Sequence, residues 1–171
     1  MKKGHTRKSH EHRKDLAGEY RWGDTGQLVL LMVFIFGMAM DIFVLKVSNA
    51  WQDVVPWYLR IVLFLPLFIS AGYFAQRAHI IIFQEERKEL MVIKTDVFAR
   101  VRHPLYFGFL LIYFSFVILS LSFIALVIFS VGALFYYYLC RYEEQLLIDT
   151  LGDDYLAYMK GVPMLIPRIR I

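Results

Sequence analysis

Two short segments concentrate the side chains capable of chemistry. The first, DVFARVRHPLYFG at residues 96–108, sets Arg102 and His103 ahead of a proline and an apolar run. The second, RYEEQLLIDTLGDDYLAYMKGVPMLIP at residues 141–167, opens with Arg141, Glu143 and Glu144, close behind the aromatic run Phe135-Tyr136-Tyr137-Tyr138. Arginines, a histidine and paired carboxylates beside aromatic faces make a pocket of mixed sign. Such a pocket suits a ligand that is cationic, aromatic and zwitterionic at once. The plainer reading is that these charges satisfy one another at helix ends, at the level of lipid headgroups. Pro104 favours the pocket, because a proline after histidine in the first turn of a helix fixes the backbone there.

What lies between the segments decides whether they meet. Residues 105–140 contain no charged side chain. That run is too long for one crossing of a bilayer core about 30 Å thick and right for two, each needing roughly 20 residues. Ser120-Leu121-Ser122 is the most polar point near its centre, so a tight helical hairpin is predicted there, with spans over about 105–120 and 122–140. A hairpin returns both of its ends to one face, which brings Arg102 and His103 close to Arg141, Glu143 and Glu144. Two earlier apolar stretches, about 28–45 and 57–76, complete the set. Pro66 lies inside the second and is expected to kink it. The predicted fold is all-α and integral to the membrane, with four transmembrane helices, a C-terminal helical hairpin and cytoplasmic interfacial helices.

Composition agrees with that reading. The chain has 171 residues, enough for one domain, of which 58% are hydrophobic and 17% aromatic, and its mean hydropathy is +0.51. Globular chains run at roughly 45–50% apolar. A soluble fold of this size could not hide so much apolar surface. The net charge of +4 would suit nucleic acid or membrane, but the basic residues flank the spans, so the lipid bilayer is the expected partner and nucleic acid is not. Seven lysines and arginines precede the first span, six (Arg77, Arg87, Lys88, Lys94, Arg100 and Arg102) lie between the second and third, and four follow the fourth. Of the 19, only Lys46 and Arg60 remain for the opposite side. The positive-inside rule makes the crowded face cytoplasmic and puts both termini there.

The organisation expected is a basic cytoplasmic tail over residues 1–26 and a membrane domain over 27–171, ending in a cytoplasmic segment, 141–171. The first apolar run reads as a retained helix, not a cleaved signal peptide, because a long polar stretch precedes it. Neither a myristoylation glycine nor a prenylation box is present. The tail reads as a solvated arm touching anionic headgroups. His10 and His12 lack partners at ligand spacing, so no metal site is expected. QEERKE, between IIIF and LMVI, reads as an amphipathic interfacial stretch. Asp41 and Arg60, both near the outer ends of their spans, are expected to form a structural ion pair. Cys140, the single cysteine, reads as a packed small hydrophobe and excludes an internal disulfide.

The two segments carry a recognisable signature. DVFARVRHPLYFG resembles the G-x-Y-x-x-x-R-H-P-x-Y-x-G motif of membrane methyltransferases related to isoprenylcysteine carboxyl methyltransferase and phospholipid N-methyltransferases. EEQLLIDTLGDDYLAYMKGVPMLIP resembles their closing motif, a Glu-Glu pair followed by Leu, Gly, two spaced tyrosines and a proline-flanked end. The resemblance covers about residues 91–167. It implies that S-adenosylmethionine binds between the motifs at the cytoplasmic interface, without a metal. By position, it implies that His103, Tyr106 and Gly108 belong to the cofactor site, with Arg102 and Pro104 shaping it. Glu144 and Glu143 would bind the cofactor's polar groups. Arg141 would orient them or meet the acceptor, which gives Arg141 and Glu144 the catalytic roles. Tyr155 and Tyr158 would close the site. Asp96 departs from the pattern where it has glycine, and Phe98 where it has tyrosine.

The implied reaction is an in-line methyl transfer, whose main requirement is the positioning of two reactants. A prenylcysteine-like carboxylate acceptor is already ionised, whereas a lipid amine must first lose a proton, so a nearby Glu or His matters more for it. Two other readings use the same residues. Sterol-type membrane reductases share a related RHP and terminal glutamate pattern and use a nicotinamide cofactor, though this chain is short for them. A non-catalytic membrane protein of the same fold would account for Asp96 and Phe98.

Overall fold

A chain surrounded by lipid has to satisfy its backbone polar groups within itself, and the apolar runs do so as helices. The computed structural model describes residues 23–84 and 91–168, and among these there is no strand. Helix α1 spans Gly23–Ala39 and continues as a π-helical segment, Met40–Leu45. A short α2, Asn49–Val54, precedes α3, Trp57–His79. A 3₁₀ turn at Asp96–Ala99 leads to α4, Pro104–Ser120, then α5, Phe123–Leu151, and α6, Asp153–Gly161. Tail residues 1–22, with His10 and His12, and residues 85–89 of the expected interfacial stretch lie outside the described residues.

Among the described residues, three helices are long and apolar enough to cross a membrane: Thr25–Leu45, Trp57–Ile82 and Phe123–Leu151. Pro104–Ser120 is apolar but shorter. Large apolar side chains such as Met32, Phe36, Val62, Ile69, Val131 and Leu134 stand exposed along these helices, as they do where lipid is the solvent. Pro66 is accommodated within a continuous α3, and Ser70 donates its hydroxyl to the Pro66 carbonyl at 2.7 Å.

The hairpin forms where the sequence predicts it. Leu121 takes a left-handed conformation, φ 51°, and Ser122 caps α5 by accepting from the Ala125 amide at 3.1 Å. Its second helix, however, does not stop at Cys140. It runs without a break to Leu151, because 141–151 offers good helix formers and no breaker. Gly152, at φ 56° and ψ −132°, ends it in a conformation that only glycine adopts readily. Glu143 and Glu144 therefore stand on the same rigid helix as Tyr136.

Helices α3 and α4 pack closely. A Cβ on Gly108 would lie 2.9 Å from the Ala75 backbone nitrogen and 3.1 Å from the Ala71 carbonyl oxygen. Phe74 meets Phe107 edge to face at 4.9 Å. On the other side α1 seats Leu30 over Gly132 of α5, and Phe34 packs against Tyr113 of α4 at 4.8 Å. The helices thus line up as α3, α4 and α5, with α1 lying in the notch between α4 and α5.

The expected Asp41–Arg60 pair does not form. Asp41 is 1% exposed and accepts from the Ser48 amide at 3.2 Å, the Ser48 hydroxyl at 2.6 Å and the Ser122 hydroxyl. The Ile124 amide, in the first turn of α5, lies 3.5 Å away. Arg60 turns back to the carbonyls of Gln52 and Val55 at the end of α2. Each charge finds nearer neutral partners: Asp41 at a helix N-terminus, Arg60 at a helix C-terminus, the ends that suit their signs. Asp41→Asn and Arg60→Gln are each expected to lower stability in detergent by on the order of 1–3 kcal/mol. In thermal melts the double variant should show their sum within about 0.5 kcal/mol; mutual rescue would restore the ion pair. Gly108→Ala should cost about 1–3 kcal/mol in the same melts by wedging α3 from α4.

Candidate functional site

Pro104 opens α4 at its first position, and the two residues before it are held by backbone bonds. The Arg102 amide donates to the Pro163 carbonyl at 2.9 Å and the His103 amide to the Met164 carbonyl at 3.1 Å. These bonds aim both side chains at α5. Arg102 Nε lies 2.8 Å from Glu144 Oε1, an ion-pair contact in which the N–H is not aimed along the line to the oxygen. Its Nη1 donates to the Met159 carbonyl at 3.2 Å. His103 Nε2 lies 3.3 Å from Glu144 Oε1, and His103 Nδ1 lies 3.6 Å from Glu143 Oε2. Tyr106, one turn into α4, donates its hydroxyl to Glu143 Oε1.

The cluster is secluded from solvent. Glu144 is 2% exposed and His103 7%. Glu144 Oε2 is buried and accepts no hydrogen bond from any described residue. An unpartnered carboxylate oxygen at that depth is costly unless a donor is brought to it. Tyr106 stacks near His103 at 5.9 Å and faces Tyr136 at 5.4 Å, so aromatic surface borders the carboxylates.

Both ring nitrogens of His103 face carboxylates, and only the imidazolium carries a donor on each. Burial by itself favours the neutral ring, but Cys140, Glu143 and Glu144 outweigh it and hold the imidazole well above its ordinary value of 6.5. Around the cluster, burial pushes the hydroxyls of Tyr155 and Tyr158 upward, and both remain phenols.

Arg102, His103, Tyr106, Glu143 and Glu144 therefore come together in one cluster, with Pro104 buried at its edge. Two other candidates sit elsewhere. Gly108 lies against Ala71 and Ala75 of α3, so its missing Cβ serves helix packing; the spacing from His103 carries it to a different face of α4. Arg141 is exposed and has no hydrogen bond or ion pair among the described residues. It precedes Glu144 by three residues on α5, on a face turned outward.

The two departures from the motif find physical accommodation. Asp96 has φ 56°, the left-handed region that glycine occupies without cost and aspartate tolerates better than most residues. Its carboxylate pairs with Arg77 of α3, and the hydrogen bond from that guanidinium holds it below the usual carboxylate range. Phe98 is buried among Phe74, Ala78 and Ile81, where a ring suffices and a hydroxyl has no duty.

Cys140 was legible only as a packing residue, yet it faces the cluster, as does Tyr136 of the aromatic run expected beside the pocket. Their spacing to Glu143 and Glu144, at i+4 and i+7 or i+8 from Tyr136, puts all of them on one stripe of α5. The carbonyls of Met159, Pro163 and Met164 left no signal, since a backbone acceptor is the same in every residue.

The raised pKa of His103 makes stability depend on pH. A group whose folded pKa exceeds its unfolded one lends stability in full below the unfolded value, here 6.5, and loses it as pH rises through the folded value. Melting in detergent should therefore weaken from pH 6 upward through that range, and His103→Asn should flatten the slope. An unchanged slope in the variant would remove His103 as its cause.

The model of the isoprenylcysteine carboxyl methyltransferase (ICMT) family matches residues 58–149, more than half of the chain. No curated protein matches it significantly. The matched stretch runs from the start of α3 almost to the end of α5. It takes in α3, which lies outside the residues 91–167 that carry the motif resemblance, and ends before Tyr155 and Tyr158. With the buried His103–Glu144 cluster inside that stretch, the chain belongs to the isoprenylcysteine carboxyl methyltransferase family, an integral membrane methyltransferase family.

Proposed function

We propose that this chain transfers a methyl group from S-adenosylmethionine to a lipophilic acceptor, a prenylcysteine-like carboxylate or a lipid amine, at the cytoplasmic membrane interface. The observation that carries the reading is the unpartnered, buried Glu144 Oε2 beside Arg102, His103 and Tyr106. The residues fit the cofactor's chemistry. Glu144 and Glu143 are acceptors for an ammonium and for ribose hydroxyls, and Arg102 with imidazolium His103 is a donor set for a carboxylate. Tyr106 and Tyr136 offer aromatic faces to a cation.

When bound, the cofactor supplies a methyl group on a cationic sulfur, activated for in-line displacement. The chain's own part is to bind, orient and exclude water. Burial of the cluster strengthens each charged contact in it. A carboxylate acceptor needs no base, whereas for an amine Glu143, hydrogen-bonded to Tyr106 and near His103, is the residue to receive the proton. Arg141, outward-facing at the same end of α5, is available to an acidic group on an acceptor arriving from the bilayer.

The topology belongs to the same proposal: four spans, with α4 as the third, a basic tail over 1–26, a membrane domain over 27–171 and both termini cytoplasmic. Helix α4 is about 26 Å long at 1.5 Å per residue, close to a hydrocarbon core of about 30 Å. Exposed Trp51, Trp57 and Tyr58 lie near one end of the bundle and exposed Tyr137, Tyr138 and Tyr142 near the other, the positions favoured at the two interfaces.

Calorimetric titration of S-adenosylmethionine and S-adenosylhomocysteine into the detergent-purified chain tests the reading. Saturable binding is expected, weakened at least about tenfold by His103→Ala and by Glu144→Ala, the loss of one charged contact being worth about 1.5–3 kcal/mol. If the folded native chain binds neither compound under conditions that detect micromolar affinity, the proposal fails. Binding of a nicotinamide nucleotide in their place would turn the site to reduction.

A further inference from the structure

The stretch from Tyr158 to Met164 touches the stretch from Phe98 to His103 at four points. Tyr158 donates its hydroxyl to the Phe98 carbonyl at 2.6 Å. The Met159 carbonyl accepts from Arg102 Nη1 at 3.2 Å. The carbonyls of Pro163 and Met164 accept from the amides of Arg102 and His103 at 2.9 and 3.1 Å. Three of these acceptors lie on the strap and one on the loop, so the two segments are stitched in both directions. The strap leaves α5 through Gly152, whose φ of 56° comes with nothing within 4 Å of where a Cβ would stand. Glycine is required there by the backbone, not by crowding.

These contacts close a ring. Glu144 stands on α5; the chain turns at Gly152, runs through α6 and the strap, and bonds to Arg102 and His103, which return to Glu144. The direct contacts across the ring, Arg102 to Glu144 and His103 to both carboxylates, are therefore set by where the strap holds the loop. The far side of the loop is fixed separately, by Val97, Phe98 and Val101 in the core beside α3 and by Asp96 on Arg77.

We propose that the C-terminal strap positions Arg102 and His103 against Glu143 and Glu144, and that Tyr158 is a positioning residue which acts through the Phe98 carbonyl. Tyr158 touches none of the four directly by hydrogen bond. Its hydroxyl fixes the start of a five-residue path from Phe98 to Arg102, while Pro163 and Met164 fix its end. The family match stops at residue 149, so this role is read from the hydrogen bonds alone. Where the test uses the cofactor, it rests on the reading above; its first arm does not.

The first arm is the imidazole titration of His103, followed by nitrogen-15 NMR in detergent micelles and assigned with His103→Asn. The groups facing that ring are Arg102 and Tyr106 from the loop and α4, and Cys140, Glu143 and Glu144 from α5. Tyr158→Phe keeps the buried ring and deletes the hydroxyl. It should move the His103 midpoint downward by about half a pH unit or more, as the ring drifts from its carboxylates. Gly152→Ala, which strains the turn into α6 and removes no buried side chain, should move it the same way and decides the matter should Tyr158→Phe fail to fold. Tyr58→Phe, at the opposite end of the bundle, should leave the midpoint in place. The second arm is S-adenosylmethionine affinity, expected to weaken about fivefold to tenfold in both strap variants. A lower melting temperature with an unmoved His103 midpoint overturns the inference and reduces Tyr158 to packing. If native protein binds no S-adenosylmethionine, the cofactor reading falls, and the His103 midpoint still decides the role of the strap.

Discussion

A carboxylate shut away from water has to be met by donors, and Glu144 imposes that requirement on the whole C-terminal half. Its counter-charges, Arg102 and His103, precede it by about forty residues, so the chain can neutralise it only by folding α5 back along α4. Removing one partner of such a pair leaves a bare buried charge, at a cost of roughly 3–5 kcal/mol. The hairpin turn, the absence of any break in α5 before Leu151 and the return of the C-terminal strap all serve that meeting. At the far end of the bundle Asp41 plays a matching part with neutral donors. It joins the end of α1 to Ser48 and to the first turn of α5, on the opposite side of the hairpin.

Much of this was legible because membranes make hydrophobicity and charge unusually informative. The uncharged run from Leu105 to Cys140 announces two helices, and the serines flanking Leu121 announce the turn. Once a hairpin is granted, Arg102 and His103 must approach Glu143 and Glu144, whatever the details. The cluster thus follows from topology and needs no knowledge of side-chain conformation. What escaped was local. Asp41 and Arg60 have opposite charge and similar depth, yet hydroxyls and carbonyls a few residues away were closer to hand. Gly108 follows a motif that suggests the site, but two residues past Tyr106 a helix has turned by about 200°. The end of α5 depended on a backbone angle at Gly152 that the glycine permits and does not announce.

The mixed sign of the site has a chemical logic. Two glutamates, an arginine and an imidazolium nearly cancel, so the cluster can be buried at tolerable cost while still offering both donors and acceptors. A site built from one sign would either draw in bulk counter-ions or be unable to close. The loop bearing Arg102 and His103 is braced on three sides: by α3 through Asp96 and Arg77, by the core through Val97 and Phe98, and by the strap through Tyr158. An aspartate at a left-handed position is an unusual brace, and it binds the loop to α3 in a way glycine could not.

The unbroken α5 also acts as a ruler. From its cap at Ser122 to Glu144 is 22 residues, roughly 33 Å along a helix, and the polar network around Asp41 holds the lower end of that ruler. Its graduation is close to the thickness of a hydrocarbon core, about 30 Å, and membranes differ from one another by several ångströms. In a thin bilayer the carboxylates would stand among the headgroups; in a thick one they would sink toward the hydrocarbon. On the proposed topology, the height of the carboxylates relative to the lipid is therefore written into one helix, and a change of membrane alters it without any change in sequence.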